Sequence, residues 1–164
     1  MSRAAALTVA TATLLADQIT KMLVRTRVGE FDSVVLIPGY LNAIRSSNRG
    51  IAFGMLADSA SSWTVVALSC IGVVVMLVIG WLMWHAAATP GQGRITLALA
   101  LILGGAAGNL VDRLMHGEVT DFLDFYIGTW HWYTFNVADA AITIAAVLLL
   151  VDIVFPRRAS NPAA

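Results

Sequence analysis

The chain has 164 residues, 59% of them hydrophobic and 12% charged, where a soluble domain carries about 45–50% apolar and about 25% charged residues. Ten Lys and Arg balance ten Asp and Glu, so there is no excess of positive charge to hold a phosphate backbone, and no nucleic-acid partner is expected. A lone cysteine, Cys70, excludes an internal disulfide and a thiolate metal cluster, and a mean hydropathy of +0.79 makes lipid the solvent that this composition requires.

Residues 4–24 form the first apolar segment, near the about 20 residues with which a helix crosses the hydrocarbon layer. Arg3 ahead of a short apolar stretch also fits a signal peptide, but the apolar character continues past Asp17 and Gln18 to Val24 with no convincing cleavage site, so a retained span is expected. The longest polar segment follows, at about 25–62. Within it, residues 34–37 and 40–45 flank Pro38 and Gly39, a turn pair between strand-like runs, which predicts a small extramembrane β-sheet between helices 1 and 2.

Residues 63–84 form the second span, with Cys70 lipid-facing or packed and inert. Residues 85–94 carry Pro90, Gly91 and Gly93 and read as a tight helix-to-helix connection. The third span, 95–115, contains Gly104 and Gly108 in a small-xxx-small pattern that lets a neighbouring helix approach; packing alone accounts for it. In residues 116–134, Phe122, Leu123, Phe125, Tyr126, Trp130 and Trp132 alternate with Asp121, Asp124 and His131, a composition expected to lie on the membrane surface. The fourth span is 135–155. The sum is an all-α membrane protein with four transmembrane helices, one domain over residues 1–164.

Four spans put both termini on one side. That side, with the 85–94 turn, carries Arg3, Arg94, Arg157 and Arg158, and the other carries Lys21, Arg25, Arg27, Arg45, Arg49 and Arg113, so the charge count does not support a cytoplasmic N-terminus.

Ionisable residues within spans are expensive and are functional candidates by default. Asp17 closes the first span, Asn109, Asp112 and Arg113 close the third, Asp121 follows, and Asn136 and Asp139 open the fourth. Connectivity places all of them at one membrane face. Asp17 and Lys21, Asn109 and Arg113, and Asn136 and Asp139 are spaced by three or four residues, hence each pair shares a helix face. Two carboxylates a few ångströms apart hold one proton between them, so that one activates water and the other polarises a carbonyl. Asp121, at the rim, and Asp139, about one turn inside the fourth span, are the candidates.

Plainer readings stand beside these. Asp121 alone reads as a solvated turn residue, and Asp139 as a helix-dipole partner. Asp17 with Lys21 and Asp112 with Arg113 read as structural ion pairs, and Asp124 and Asp152 as solvated interfacial acids. His116 and His131 lack metal-ligand spacing, so no metal is expected. The aromatic run Trp130, Trp132 and Tyr133 reads as a membrane-interface belt before a substrate box. No G-x-S-x-G elbow occurs, and the single lysine, Lys21, lies four residues from an acid that keeps it protonated, against a Ser–Lys pair. A proton-coupled carrier with Asp17, Asp112 and Asp139 as a relay would spread its acids through the bilayer depth, and a scaffold would use them only to fix helix register.

Five motifs in order resemble those of the bacterial lipoprotein signal peptidase (signal peptidase II) family: Asp17-Gln18-Ile19-Thr20-Lys21, similar to D-Q-x-(S/T)-K; Asn48-Arg49-Gly50-Ile51-Ala52-Phe53, similar to N-x-G-x-A-F; Gly104-Gly105 through Gly108-Asn109 to Asp112-Arg113, similar to G-G-x-x-G-N-x-x-D-R; Gly117 to Asp121-Phe122, similar to G-x-V-x-D-F; and Phe135-Asn136-Val137-Ala138-Asp139, similar to F-N-x-A-D. The resemblance spans essentially the whole chain, with departures at Arg49, Ile51 and Tyr133. It implies that Asp121 and Asp139 are the catalytic pair of an aspartyl endopeptidase without cofactor, and that Asp17, Lys21, Asn48, Gly50, Asn109, Arg113, Asn136 and Ala138 shape or support the site. It implies diacylglyceryl-modified prolipoproteins as substrates, cut before the lipidated cysteine. It further implies a multi-pass protein, expected as a monomer among membrane lipid in the bacterial cytoplasmic (inner) membrane, with both termini cytoplasmic, an extracytoplasmic active site, and an interfacial helix before helix 4 that helps to enclose substrate.

Overall fold

The structure, a computed structural model, describes residues 1–48 and 62–155. Four helices, α1 (Arg3–Arg27), α2 (Ser62–Ala86), α3 (Gly93–His116) and α4 (Val137–Val154), are long and apolar enough to cross a membrane. Four strands, β1 (Ser33–Ile37), β2 (Leu41–Asn48), β3 (Val119–Ile127) and β4 (Trp130–His131), form one antiparallel sheet in the order β1-β2-β3-β4.

α3 is the hub, against which α1, α2 and α4 all pack. Its small residues allow this. A Cβ on Gly104 would strike the Ala10 carbonyl oxygen of α1, and one on Gly105 would lie 2.7 Å from the Ala138 carbonyl oxygen of α4. Near the chain termini, Ala6, Ala10, Met83, Ala86, Leu99 and Ala100 close an apolar core. The outward faces of α2 and α4 remain apolar, with Val74, Leu77, Trp81, Ile144, Leu150 and Ile153 exposed, as lipid-solvated helices require.

Helix ends are set by local chemistry. The Ser2 hydroxyl accepts from the Ala5 N–H at 3.2 Å to start α1. Gly117, at φ 73°, ends α3 in the left-handed region that a glycine enters without strain, and turns the chain directly into β3.

The predicted hairpin around Pro38 and Gly39 is present as β1 and β2, with Gly39 at φ 83° in the turn. Two expectations are corrected. The sheet does not come from the helix 1–2 segment alone, because β3 and β4 join it from the connection between α3 and α4. That same connection was expected to lie flat and to supply an interfacial helix before helix 4; residues 119–131 are instead a β-hairpin closed by a turn with Gly128 at φ 61°. What makes the segment a strand is its antiparallel pairing with β2, from Leu41 opposite Phe125 to Asn48 opposite Val119, a long-range contact that local composition does not register.

Candidate active site

Asp17, Lys21 and Arg25 recur every four residues along α1 and form one polar stripe. Lys21 has no exposed surface, and its Nζ lies 2.9 Å from Asp17 Oδ2, 3.2 Å from Asp112 Oδ2 and 2.9 Å from Asn109 Oδ1. Three acceptors match three ammonium protons, so the buried cation is saturated. Asp112 also accepts from Arg25 (3.3 Å) and from the Thr120 N–H (3.0 Å), and Asp17 accepts from the Ala138 N–H (2.9 Å). Two carboxylates against Lys21 and Arg25 leave this cluster neutral, the condition under which buried charge is tolerable. Asp17 thereby satisfies an otherwise orphan N–H in the first turn of α4 and ties α1 to it. Gly108 makes room for it, since a Cβ there would collide with the Asp17 carboxylate.

Lys21 also dictates the orientation of Asn109. A cation only donates, so the Asn109 oxygen must face it, and the amide nitrogen then donates to Asp139 Oδ1 at 2.9 Å. Asn136, fully buried, caps α4 through a reciprocal pair: its side-chain oxygen accepts from the Asp139 N–H (3.0 Å), and its own N–H donates to Asp139 Oδ2 (3.2 Å). Its Nδ2 donates to Asp121 Oδ1 at 2.7 Å and to Asn109 Oδ1 at 3.2 Å. Asn48, from β2, donates to Asp121 Oδ2 at 3.1 Å. Asp121 is 4% exposed, and burial, followed by the nearby charge of Asp139, pushes its carboxyl up to about 6, against the opposing hydrogen bonds from Asn48 and Asn136.

These acids lie at the head of a cavity of about 710 Å³, whose lining includes Asn109 and Arg113 from α3, Ile142 and Ile144 from α4, and Trp132 and Tyr133 from the segment before α4. Asn48, Asp121 and Asp139 also face it, whereas Asp17, Lys21, Asn136 and Ala138 stand behind it without exposed surface. Gly50 lies outside the described residues. Three plainer readings change. The ion pairs of Asp112 are to Lys21 and Arg25, not to Arg113, which points about 100° away round the helix. Asp124 is buried and bonded to His131 Nδ1 at 2.8 Å, so it is not a solvated acid. Asp152 is paired with Arg94 at 3.4 Å. Arg25 and Thr120 escaped the sequence reading as site residues; for Arg25 the four-residue repeat from Asp17 was the available signal.

Four membrane-crossing helices carrying a buried cluster of acids, amides and a saturated lysine beside a wide, largely apolar cavity define a membrane-embedded enzyme. The family model described as signal peptidase (SPase) II matches residues 9–155, and the chain belongs to that family, a protease family of the aspartic type. It is 46% identical over 143 residues to the lipoprotein signal peptidase of Solibacter usitatus (strain Ellin6076), covering 87% of this chain and 85% of that one. It is also 46% identical over 144 residues to the lipoprotein signal peptidase of Paraburkholderia phytofirmans, covering 88% and 81%. A bacterial membrane enzyme structure obtained by the in meso method at 2.3 Å resolution superposes with a TM-score of 0.78 at 26% identity, covering 96% of this chain and 94% of the other.

Proposed function

We propose that this chain is an intramembrane aspartyl endopeptidase that removes signal peptides from diacylglyceryl-modified prolipoproteins, cutting on the N-terminal side of the lipidated cysteine, with Asp121 and Asp139 as the catalytic pair. The observation that carries this reading is Asn136, which hydrogen-bonds both acids from one buried position at the head of the cavity. The substrate class follows from relatives named lipoprotein signal peptidases.

Asp121, with its carboxyl raised to about 6, holds the shared proton, and Asp139, which accepts from Asn109 and from the Asn136 N–H, is the ionised member. Asp139 takes a proton from water as the water oxygen adds to the scissile carbonyl carbon, while Asp121 gives its proton to the carbonyl oxygen. The resulting gem-diol collapses: one hydroxyl returns its proton to Asp121, the C–N bond breaks, and Asp139 delivers its proton to the leaving amine. Two carboxylates complete this cycle without a cofactor. The apolar cavity wall on α4 lets the acyl chains stay in lipid while the peptide reaches the acids. The protein acts as a monomer in the bacterial cytoplasmic (inner) membrane, with both termini cytoplasmic and the acids at the extracytoplasmic face.

The test is incubation of purified protein with a diacylglyceryl-modified precursor, read by size shift. Wild type cleaves, and Asp121→Asn and Asp139→Asn remain folded and lose activity by at least about 10²-fold, the lower end for a lost general acid or base. Turnover by both variants overturns the assignment.

A further inference from the structure

Thr120 precedes Asp121 on β3, and the pleat turns the two side chains to opposite faces of the strand. Asp121 faces the cavity, while Thr120 is buried against α1 and α3. There one nitrogen of Arg25, Nη1, donates to the Thr120 hydroxyl at 3.0 Å and to Asp112 Oδ1 at 3.3 Å. The other Asp112 oxygen, Oδ2, accepts from the Thr120 N–H at 3.0 Å, so that Arg25, Asp112 and Thr120 close a ring of hydrogen bonds. The Thr120 carbonyl in turn lies 3.5 Å from Asn136 Nδ2, the nitrogen that donates to Asp121 Oδ1. Arg25 lies outside the five sequence motifs, and Thr120 occupies an unspecified position within G-x-V-x-D-F.

We infer that Arg25 is a positioning residue for Asp121, acting through Thr120, a role that rests on the peptidase reading above. Asp139 comes from α4 and Asp121 from the sheet, so their separation depends on how the sheet is seated on the helices. The ladder does not set this by itself, because it pairs Ser46 with Asp121 and Ser47 with Thr120 and so holds β3 to β2. Phe122 packs against Val24 and Val28 of α1 and keeps the sheet on the bundle, but burial of apolar surface is non-directional and fixes position loosely. Directional support comes from hydrogen bonds. Asn136 supplies it at the entry to α4, together with the paired bonds of Phe135 to Leu123; Asn48 supplies it from β2, and the ring at Thr120 from α1 and α3. Arg25 is what α1 contributes to that ring, and Asp112 keeps Lys21 and Gln18 as partners when it is removed. Loss of Arg25 or of the Thr120 hydroxyl therefore leaves the sheet folded and seated, and lets β3 shift beneath Asp121. Small displacements of a reacting group slow the chemical step.

The experiment is steady-state cleavage of a diacylglyceryl-modified precursor by wild type, Thr120→Val, Thr120→Ser, Arg25→Met and the Arg25→Met, Thr120→Val double variant. Each is taken as its monodisperse fraction and assayed well below its own melting midpoint, so that kcat refers to folded protein. Thr120→Val keeps the side-chain shape and the backbone N–H and loses only the hydroxyl; its kcat falls by about tenfold, with KM within about twofold of wild type. Thr120→Ser restores kcat to within about twofold of wild type, since its hydroxyl accepts in the same way. Arg25→Met lowers kcat at least as far as Thr120→Val, and the double variant stays within about twofold of Arg25→Met, because either change removes the same hydrogen bond. A merely structural role shifts the melting midpoint and leaves kcat of the folded protein at the wild-type value, and that result in Thr120→Val overturns the proposal. So does a double variant whose loss is the product of the two single losses, or a Thr120→Ser variant as impaired as Thr120→Val. Wild type that cleaves nothing removes the peptidase reading and this inference together, whereas cleavage at the wild-type kcat by Thr120→Val overturns the positioning role alone.

Discussion

Asp121 and Asp139 are joined through a single side chain, since Asn136 donates its amide to the first and its backbone N–H to the second. Asn136 thus has two separable duties, capping α4 and bridging the acids. Asn136→Ser keeps a good N-cap and loses the bridge, while Asn136→Ala loses both. Both variants lower kcat by about 10²-fold or more, on the scale of a lost preorganised donor. Their stabilities separate, with Asn136→Ala less stable than Asn136→Ser by about 1 kcal/mol. Thermal unfolding in detergent alongside cleavage rates checks the division; equal activity in Asn136→Ser and wild type removes the bridge from the mechanism.

The raised Asp121 carboxyl gives a pH prediction of defined sign. In the proposed mechanism cleavage requires its protonated form, so kcat/KM of the free enzyme is expected to decline as pH rises through about 6. Stability moves in the same direction. The folded state retains a proton that the unfolded chain, at 3.8, has already released, so this contribution is fully present below pH 3.8 and is lost by about pH 6. Asp121→Asn removes the buried charge and its repulsion with Asp139, and is expected to melt higher than wild type above pH 6 while being inactive. Melting curves from pH 5 to 8 decide it, and an Asp121→Asn variant that melts lower at pH 8 contradicts the assigned electrostatics.

Much of this was legible in the sequence because membrane helices announce themselves by length and composition, and acids in them are too costly to be incidental. The four spans fall within a few residues of the observed helices, and the face shared by Asp17, Asn109, Asp121 and Asp139 follows from connectivity. Spacing alone did not reveal that Asp112 answers Lys21 and Arg25, because ion pairs between helices depend on their relative rotation. The stretch around Asp124 misled for another reason. Its aromatics carry the composition of an interfacial segment, and only pairing with β2, distant in sequence, distinguishes a strand from such a segment. Once β3 is in the sheet, Asp124 is buried and His131 becomes its partner.

Lys21 neutralises Asp17 and Asp112 and aims Asn109 at Asp139. Lys21→Met leaves buried carboxylates short of a cation and is expected to cost about 3–5 kcal/mol, the range for breaking a buried pair from one side. Activity falls as well, because the Asn109 amide loses the contact that orients it. Asp17→Asn combined with Lys21→Met removes one charge of each sign and regains more than half of the stability lost in the single variant. Unfolding measurements on wild type, Lys21→Met and the double variant test this; a double variant no more stable than Lys21→Met alone means that the pair does not act as a unit.

Close approach of α3 to α4 gives a final prediction that separates packing from propensity. Gly105 has room for no side chain, since a Cβ there would sit 2.7 Å from the Ala138 carbonyl oxygen and 3.0 Å from Ile142 Cγ1. Neither backbone can yield cheaply, so Gly105→Ala pushes apart the helices that carry Asn109 and Asp139. A cost of about 1–3 kcal/mol is expected, together with a loss of cleavage, because the Asn109–Asp139 hydrogen bond spans that gap. Gly80, on α2, is the control: a Cβ there meets nothing within 4 Å. Gly80→Ala therefore exchanges a poor helix former for the best one, and is expected to be neutral or stabilising by up to about 1 kcal/mol with unchanged activity. If Gly105→Ala behaved like Gly80→Ala in both measurements, the close crossing of α3 and α4 would not be what holds Asp139 in place.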